Sequence, residues 1–250
     1  MAQSSAALVA ARQSTPGSKA LDGDFTQVLL PASVRKTLDA ITHRLRNRGW
    51  AIAPDSAQQL AAMVLDLQPR QILEFGCGVS TIIMAACARE LSDSNKRCRI
   101  LSLEQGQGYA RRTRQRLDDL ELASFSTIIH TPLSAQRCFG QTIHSYAIDS
   151  PKLRQQLHSA VDFCFIDGPA SAPLFGRPGS RLAALPLALS VAAQELHFVL
   201  DDTQRSKEQR ILKHWQSLTG VSIEHHYPQG RGMTLGRWCS HEPQTAEDHQ

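Results

Sequence analysis

A short apolar run that ends at two closely spaced glycines is the strongest constraint on how this chain can fold. The run covers residues 72–75 and includes Glu74; Gly76 and Gly78 follow, and residues 82–88 have a helical composition. In open parallel sheets, a strand, a glycine turn and a helix in this order bring backbone close to a ligand. Glycine suits such a turn because a side chain would block the ligand or forbid the required φ values. The stretch therefore predicts a ligand site at the end of the first strand.

The remaining sequence alternates predicted strands with predicted helices. Strands are expected at 71–75, 99–103, 126–130, 161–166 and 197–200, and helices at 80–91, 109–120, 152–158, 181–193 and 206–218. Residues 221–226 and 233–238 alternate in polarity like two antiparallel strands, and an extra hairpin or edge strand is expected within 141–148. The order predicts an α/β fold: a doubly wound, mostly parallel sheet with helices on both faces and a closing antiparallel strand pair.

One domain is expected at residues 25–239, with N-terminal helices at 25–69 and the sheet core at 70–239. Ser56 and Gln59 fit a capping box for the second of these helices, which is expected to begin near Ser56. The helices are expected to cover one side of the sheet or to form a cap over the site. Residues 1–24 are expected to be a flexible segment, with a transit peptide as the alternative, and 240–250 a polar tail.

Composition excludes several classes of protein. Of the 250 residues, 42% are hydrophobic and 20% charged, as in soluble globular proteins, and the net charge of +4 is mild. Arginine clusters within 44–48 and 111–116 are interpreted as solvated helix faces, so DNA is not an expected partner. No apolar run approaches the roughly 20 residues that cross a bilayer. The six cysteines form no C-x-x-C pair, which favours free thiols in a reducing, cytoplasmic compartment.

Two acids narrow the identity of the ligand. A dinucleotide-binding turn would place a third glycine where this chain has Thr81, while Glu74 precedes the turn and Glu104 closes the second strand. This Glu-x-Gly-x-Gly pattern, with an acid at the end of the next strand, resembles the class I S-adenosylmethionine-dependent methyltransferases over residues 70–238.

The resemblance implies a cofactor site. Glu74, Gly76, Gly78 and Ser80 would lie along the methionine part of S-adenosylmethionine, and Glu104 would accept hydrogen bonds from the two ribose hydroxyls. A diol offers two donors and a carboxylate offers paired acceptors, which is the physical basis of that assignment. Adenine is expected near residues 131–133. The alternative for Glu104 is a solvated acid at a strand end.

Three further acids end the fourth and fifth predicted strands. Asp167 follows one of them and Asp201-Asp202 ends the other, on the same rim of the sheet. Carboxylates that converge there repel one another unless they are protonated or bound to a cation, and oxygen ligands favour Mg²⁺. The pattern is similar to that of metal-dependent O-methyltransferases of the catechol type. That resemblance implies Mg²⁺ ligands at Asp167, Asp201 and Asp202, with Asp167 and Asp201 as catalytic residues, although the lysine base common in that family has no counterpart.

Local structural roles are the alternatives for these acids. Asp201 or Asp202 can cap the helix that begins near Arg205, and Asp167 can set the following turn. The flanking arginines, which are Arg177, Arg181 and Arg205, are expected to bind an anionic group or to serve solubility.

The sequence therefore predicts a cytoplasmic S-adenosylmethionine-dependent methyltransferase that methylates oxygen on a small-molecule or glycan-like acceptor, with Mg²⁺ as a candidate second cofactor. The alternatives are an NAD(P)-type oxidoreductase and a non-catalytic protein that retains a cofactor-binding fold. Nothing in the sequence indicates the oligomeric state or the acceptor.

Overall fold

The computed structural model describes residue 25 and residues 28–45, 52–170 and 179–240. The side chains of residues 42–45, the cluster at 46–48 and Arg177 lie outside the described part, as do the segments 1–24 and 241–250. The helices are α1 (Ala32–Leu45), α2 (Pro54–Leu67), α3 (Val79–Asp93), α4 (Gln107–Asp119), α5 (Ser150–Gln156), α6 (Ala184–Leu189) and α7 (Ser206–Trp215). The strands are β1 (Gln71–Phe75), β2 (Arg99–Glu104), β3 (Ser126–His130), β4 (Leu133–Cys138), β5 (Gln141–Tyr146), β6 (Val161–Ile166), β7 (Ala192–Asp201), β8 (Val221–Tyr227) and β9 (Met233–Cys239).

Seven of the described strands form one sheet in the order β3-β2-β1-β6-β7-β9-β8. Strands β3, β2, β1, β6 and β7 are parallel, and β9 pairs antiparallel with both β7 and β8. The predicted fold class is confirmed. The chain builds outward from β1 in one direction and then resumes at β6 on its other side. The topological switch therefore lies between β1 and β6, where ligands bind in open α/β sheets.

Strand β1 is buried over its whole length because helices cover both faces of the sheet. Ile72 packs into the apolar cluster formed with α1 to α4. Leu73 and Phe75 point to the other face and join the cluster of α5, α6 and α7. The two clusters hold the carboxyl end of β1 in place from both sides.

The N-terminal helices cover one face of the molecule by packing on α3. The expected capping box is wrong, because α2 begins at Pro54 and its N-cap residue, Ala53, makes no side-chain cap. Proline suits the first helical turn, where a missing N–H costs nothing. Ser56 and Gln59 are buried inside this first part of the helix.

The helix predicted at 181–193 is shorter than expected, and the following strand is longer. A single 3-10 turn at Arg181–Ala183 leads into α6, and β7 already begins at Ala192. Ala192 pairs with Val161 of β6, and Glu195 and Leu196 pair with β9. Pairing with two neighbouring strands thus overrides the helical composition of this segment.

An extra hairpin is present, but only its second strand, β5, lies within the expected range of 141–148; β4 precedes that range, and the two strands form a separate sheet. On α4, Arg111, Arg112, Arg114 and Arg116 are exposed, as expected for a solvated face. None of the helices in the described ranges has the length and apolarity that a bilayer crossing requires.

Candidate cofactor site and acid cluster

The glycine turn lies at the switch point of the sheet, between the ends of β1 and β6. Gly76 has a φ of 91°, and a Cβ added there would lie 3.1 Å from the backbone nitrogen of Gly168. Only glycine satisfies both the positive φ and this close approach. A Cβ added at Gly78 would have no atom within 4 Å, so this side of the turn faces open space.

Glu74 stabilises the turn through hydrogen bonds with side chains of α3 and β2. Its buried carboxylate accepts hydrogen bonds from Ser80 Oγ at 2.6 Å, Thr81 Oγ1 at 2.7 Å and Ser102 Oγ. Burial raises the pKa of Glu74 from 4.5 to about 7, although the three hydroxyls oppose the rise. The hydrogen bonds of Glu74 therefore join β1, α3 and β2 next to the glycine turn. The predicted contact of Glu74 and Ser80 with a cofactor stays a prediction.

Glu104 fixes the geometry of the turn from the next strand. Its Oε2 accepts the Cys77 backbone N–H at 2.9 Å, and its Oε1 accepts the Gly106 N–H at 2.7 Å. A carboxylate has about four lone-pair positions, so two acceptor positions remain for the hydroxyls of a ligand. The structure places Glu104 against the glycine turn, and its predicted contact with the ribose hydroxyls stays a prediction.

Gln105 is a site residue that the sequence analysis missed. Its Oε1 accepts the Ala170 N–H at 3.0 Å, which joins the end of β2 to the loop after β6. Its Nε2 is buried and has no hydrogen-bond partner among the described residues. The one available signal was its position directly after Glu104. Gln105 thus links the two strand ends that flank the glycine turn and keeps one buried donor unpaired among the described residues.

The three strand-end acids come together, as predicted. Single carboxylate oxygens of Asp167, Asp201 and Asp202 all lie within 4.8 Å of one another. The helix-capping alternative is wrong, because the N-cap residue of α7 is Arg205 and no side chain caps this helix. The cluster is therefore a tertiary feature of the rim.

Arg181 is the central cation of this cluster. Its Nη2 contacts Asp167 Oδ1 at 2.8 Å and Asp202 Oδ2 at 2.9 Å, and its Nη1 donates to the Asp201 carbonyl oxygen at 2.8 Å. The side chain is only 4% exposed. The expectations that Arg181 binds an anionic ligand or serves solubility are both wrong, because it is buried among acids. Its partners lie 14 and 21 residues away in sequence, so no local pattern reveals the pairing.

Further charged side chains surround Arg181 and Asp202. Asp202 also contacts Arg205 Nη1 at 2.8 Å and Arg231 Nε, and the buried carboxylate of Glu208 lies 3.8 Å from Arg181 Nη1. Burial, and then the neighbouring Asp202, raise the pKa of Asp201 to about 6. Burial also raises the pKa of Asp167, and Arg181 opposes that rise.

Comparisons of structure match this architecture to methyltransferases. The SAH-bound methyltransferase PaMTH1 from Podospora anserina aligns with a TM-score of 0.59 at 13% identity, over 84% of this chain and 89% of that one. The O-methyltransferase TomG from Streptomyces achromogenes, in complex with SAM, gives 0.55 at 16% identity over 86% and 92%. A putative O-methyltransferase from Klebsiella pneumoniae gives 0.56 at 20% identity over 86% and 93%. No protein-family model matches the sequence, and no curated protein matches it either.

The chain has the class I methyltransferase fold. Within this fold the ligand space fits S-adenosylmethionine in two respects. Gly78 leaves room beside the backbone of the turn, and Glu104 keeps acceptor positions that suit a ribose diol.

The acid cluster does not fit Mg²⁺ in the same way. Its carboxylate oxygens are the donors that Mg²⁺ prefers. Arg181 Nη2, however, already contacts Asp167 and Asp202, so an ion bound by all three acids would lie against the guanidinium.

Proposed function

We propose that the protein is an S-adenosylmethionine-dependent methyltransferase that acts on a hydroxyl oxygen of a small-molecule or glycan-like acceptor. The observation that carries the proposal is the open side of the glycine turn at Gly78, beside Glu104, at the switch point of a class I methyltransferase fold. TomG and the protein from Klebsiella pneumoniae, described as O-methyltransferases, support the choice of oxygen as the accepting atom.

The residues of the turn would hold the cofactor. S-adenosylmethionine supplies a methyl group on a sulfonium centre, and the protein's task in such a displacement is to align the acceptor and exclude water. Glu104 would accept hydrogen bonds from the ribose, and the backbone of Gly76 and Gly78 would admit the methionine part. Glu74 and Ser80 would hold this turn from below, through their own hydrogen bond.

Asp167 is the acid best placed to meet an acceptor. Its side chain is 23% exposed, whereas those of Asp201 and Asp202 are buried. A carboxylate whose pKa is raised by burial binds a proton more readily, which suits a group that receives the acceptor's hydroxyl proton. We assign proton removal to Asp167, and to Asp201 the role of shaping the charge around it.

The hydrogen bonds of Thr81 argue against an oxidoreductase. Its hydroxyl accepts the Gly78 N–H at 2.9 Å and donates to Glu74 at 2.7 Å. A dinucleotide-binding turn places glycine there for close packing of helix and strand. In this chain the same position holds a side chain that supports the turn.

The test is transfer of a labelled methyl group from S-adenosylmethionine to a panel of catechols, phenols and sugars. We expect label in an ether product, with turnover falling about 100-fold in Asp167→Asn while cofactor affinity is unchanged. Tight binding of NADPH in place of S-adenosylmethionine would support the oxidoreductase. Cofactor binding without transfer to any acceptor in the panel would support the non-catalytic alternative. Chelator added to the same assay tests magnesium assistance.

A further inference from the structure

The acid cluster at the rim of the sheet contains its own cation. We propose that the Arg181 guanidinium takes the place that a divalent metal ion would occupy among Asp167, Asp201 and Asp202, so that this protein transfers methyl groups without a metal. The catalytic half of this inference rests on the proposed function, whereas the half that concerns metal binding does not.

The contacts of Arg181 are those expected of a bridging cation. One nitrogen, Nη2, reaches a carboxylate at the end of β6 and another at the end of β7, at 2.8 and 2.9 Å. The other terminal nitrogen donates to the Asp201 carbonyl oxygen at 2.8 Å. A planar guanidinium can serve several acceptors in fixed directions, which a single ammonium group cannot do. Arg181 thus connects the two strand ends that a shared metal ion would connect.

The fold also holds the backbone of Arg181 in place. It begins the 3-10 turn that leads into α6, where Ser180 Oγ accepts the Leu182 N–H at 3.3 Å. Trp215 Nε1 on α7 donates to the Leu182 carbonyl oxygen at 2.9 Å, and that indole is buried. These two contacts hold the backbone N–H and the carbonyl oxygen of Leu182, the residue that follows Arg181. The guanidinium is therefore held in the cluster from a fixed backbone position.

Charge balance supports the same conclusion. Asp167, Asp201, Asp202 and Glu208 lie within reach of three cations, which are Arg181, Arg205 and Arg231. With four acids against three cations, this set has a net charge of −1, so a divalent ion would make it positive overall and would stand directly beside a buried guanidinium. Displacing Arg181 instead would leave a buried charge without its partners, which is strongly unfavourable.

For the proposed reaction, Arg181 acts as a positioning residue. It holds Asp167 at the rim and balances the charge of Asp202 behind it. The methyl acceptor would then lose its proton to a carboxylate that a guanidinium orients.

The metal-binding test uses Mn²⁺ as the probe. Electron paramagnetic resonance measures its binding as the loss of the free-ion signal. Wild-type protein is expected to bind no stoichiometric Mn²⁺ at the cluster at millimolar concentrations. Removing the guanidinium in Arg181→Ala frees the carboxylates, so one Mn²⁺ is expected to bind at least tenfold more tightly than in wild type. The matched control is Arg205→Ala, which removes a more exposed contact to Asp202 but keeps Arg181 and should remain free of Mn²⁺.

Two further variants keep this test decisive. Adding Asp201→Asn to Arg181→Ala should abolish the acquired binding, which locates the ion in the cluster. If Arg181→Ala does not fold, the wild-type titration decides: wild-type binding that Asp167→Asn abolishes would overturn the inference. A folded Arg181→Ala protein that gains no Mn²⁺ would overturn it as well.

The activity arm separates this inference from the proposed function. Wild-type protein treated with excess chelator should keep its full rate of methyl transfer, and a loss of rate that Mg²⁺ restores would overturn metal independence. If no acceptor is methylated but the Mn²⁺ results are as expected, the proposed function fails while the assignment of Arg181 stands.

Discussion

Gly168 and Gly76 lie back to back at the ends of two adjacent strands, so close that a Cβ added at Gly168 would stand 2.8 Å from the Gly76 Cα. The same Cβ would also meet the hydroxyl of Tyr146, which is buried. The turn that faces the ligand space is thus held against the backbone that follows β6. The two strand ends therefore pack backbone against backbone.

Replacing Gly168 with alanine should therefore destabilise the protein. The obstacle includes backbone, which cannot rotate away, so we expect a loss of about 2–4 kcal/mol in the free energy of unfolding. Urea denaturation measures this directly. A loss below about 0.5 kcal/mol would show that the two strand ends move independently.

Gly78→Ala is the matched change on the other side of the turn. Nothing lies within 4 Å of the new methyl group, so the free energy of unfolding should change by less than about 1 kcal/mol. The methyl group would, however, occupy the space assigned to the cofactor. Affinity for S-adenosylhomocysteine, measured by calorimetry, should fall at least tenfold. Unchanged affinity would place the cofactor elsewhere.

Glu74 should make stability depend on pH. Its folded-state pKa of about 7 lies above the ordinary value of 4.5, so the folded protein holds this proton more tightly than the unfolded chain. The stability from this group is fully present below pH 4.5 and is lost as the pH rises through 7. Relative to Glu74→Gln, wild-type protein should lose roughly 2–3 kcal/mol of unfolding free energy between pH 5 and pH 8.

Urea denaturation of both proteins across that range isolates the effect, because the other acids cancel in the difference. If the difference in unfolding free energy between the two proteins does not vary with pH, burial does not raise the pKa of Glu74.

Asp202 and Asp201 should differ sharply in their contribution to stability. Asp202→Asn removes the charge that balances contacts with Arg181, Arg205 and Arg231, and breaking a buried ion pair typically costs about 3–5 kcal/mol. Burial, and then the like charge of Asp202, raise the pKa of Asp201, and its Oδ2 has no hydrogen-bond partner among the described residues. Asp201→Asn should therefore cost less than about 1 kcal/mol at pH 7. Equal losses in thermal unfolding would contradict this assignment of charges.

The sequence was informative where function depends on strand ends. The glycine turn, Glu104 and the three aspartates each follow a short apolar run, and parallel pairing brings such ends to one rim. Their meeting is a consequence of topology, so it could be predicted without coordinates.

The missed features depend on contacts between distant segments. Arg181 stands in a stretch of helical composition, and nothing nearby indicates that it turns inward to acids on two strands. The early start of β7 at Ala192 likewise depends on partners in β6 and β9. The position of Gln105 after Glu104 does not indicate that its side chain bonds the loop after β6.

Calorimetric titration of S-adenosylmethionine into wild-type protein and into Glu104→Gln shows whether the turn held by Glu104 binds this cofactor. Glu121→Gln, which changes an exposed acid, is the control. We expect one site per chain, normal binding by the control, and at least tenfold weaker binding by Glu104→Gln, because a charged acceptor contributes about 1.5–3 kcal/mol. Equal affinity in all three proteins, or no binding by the wild type, would show that S-adenosylmethionine does not bind at this turn.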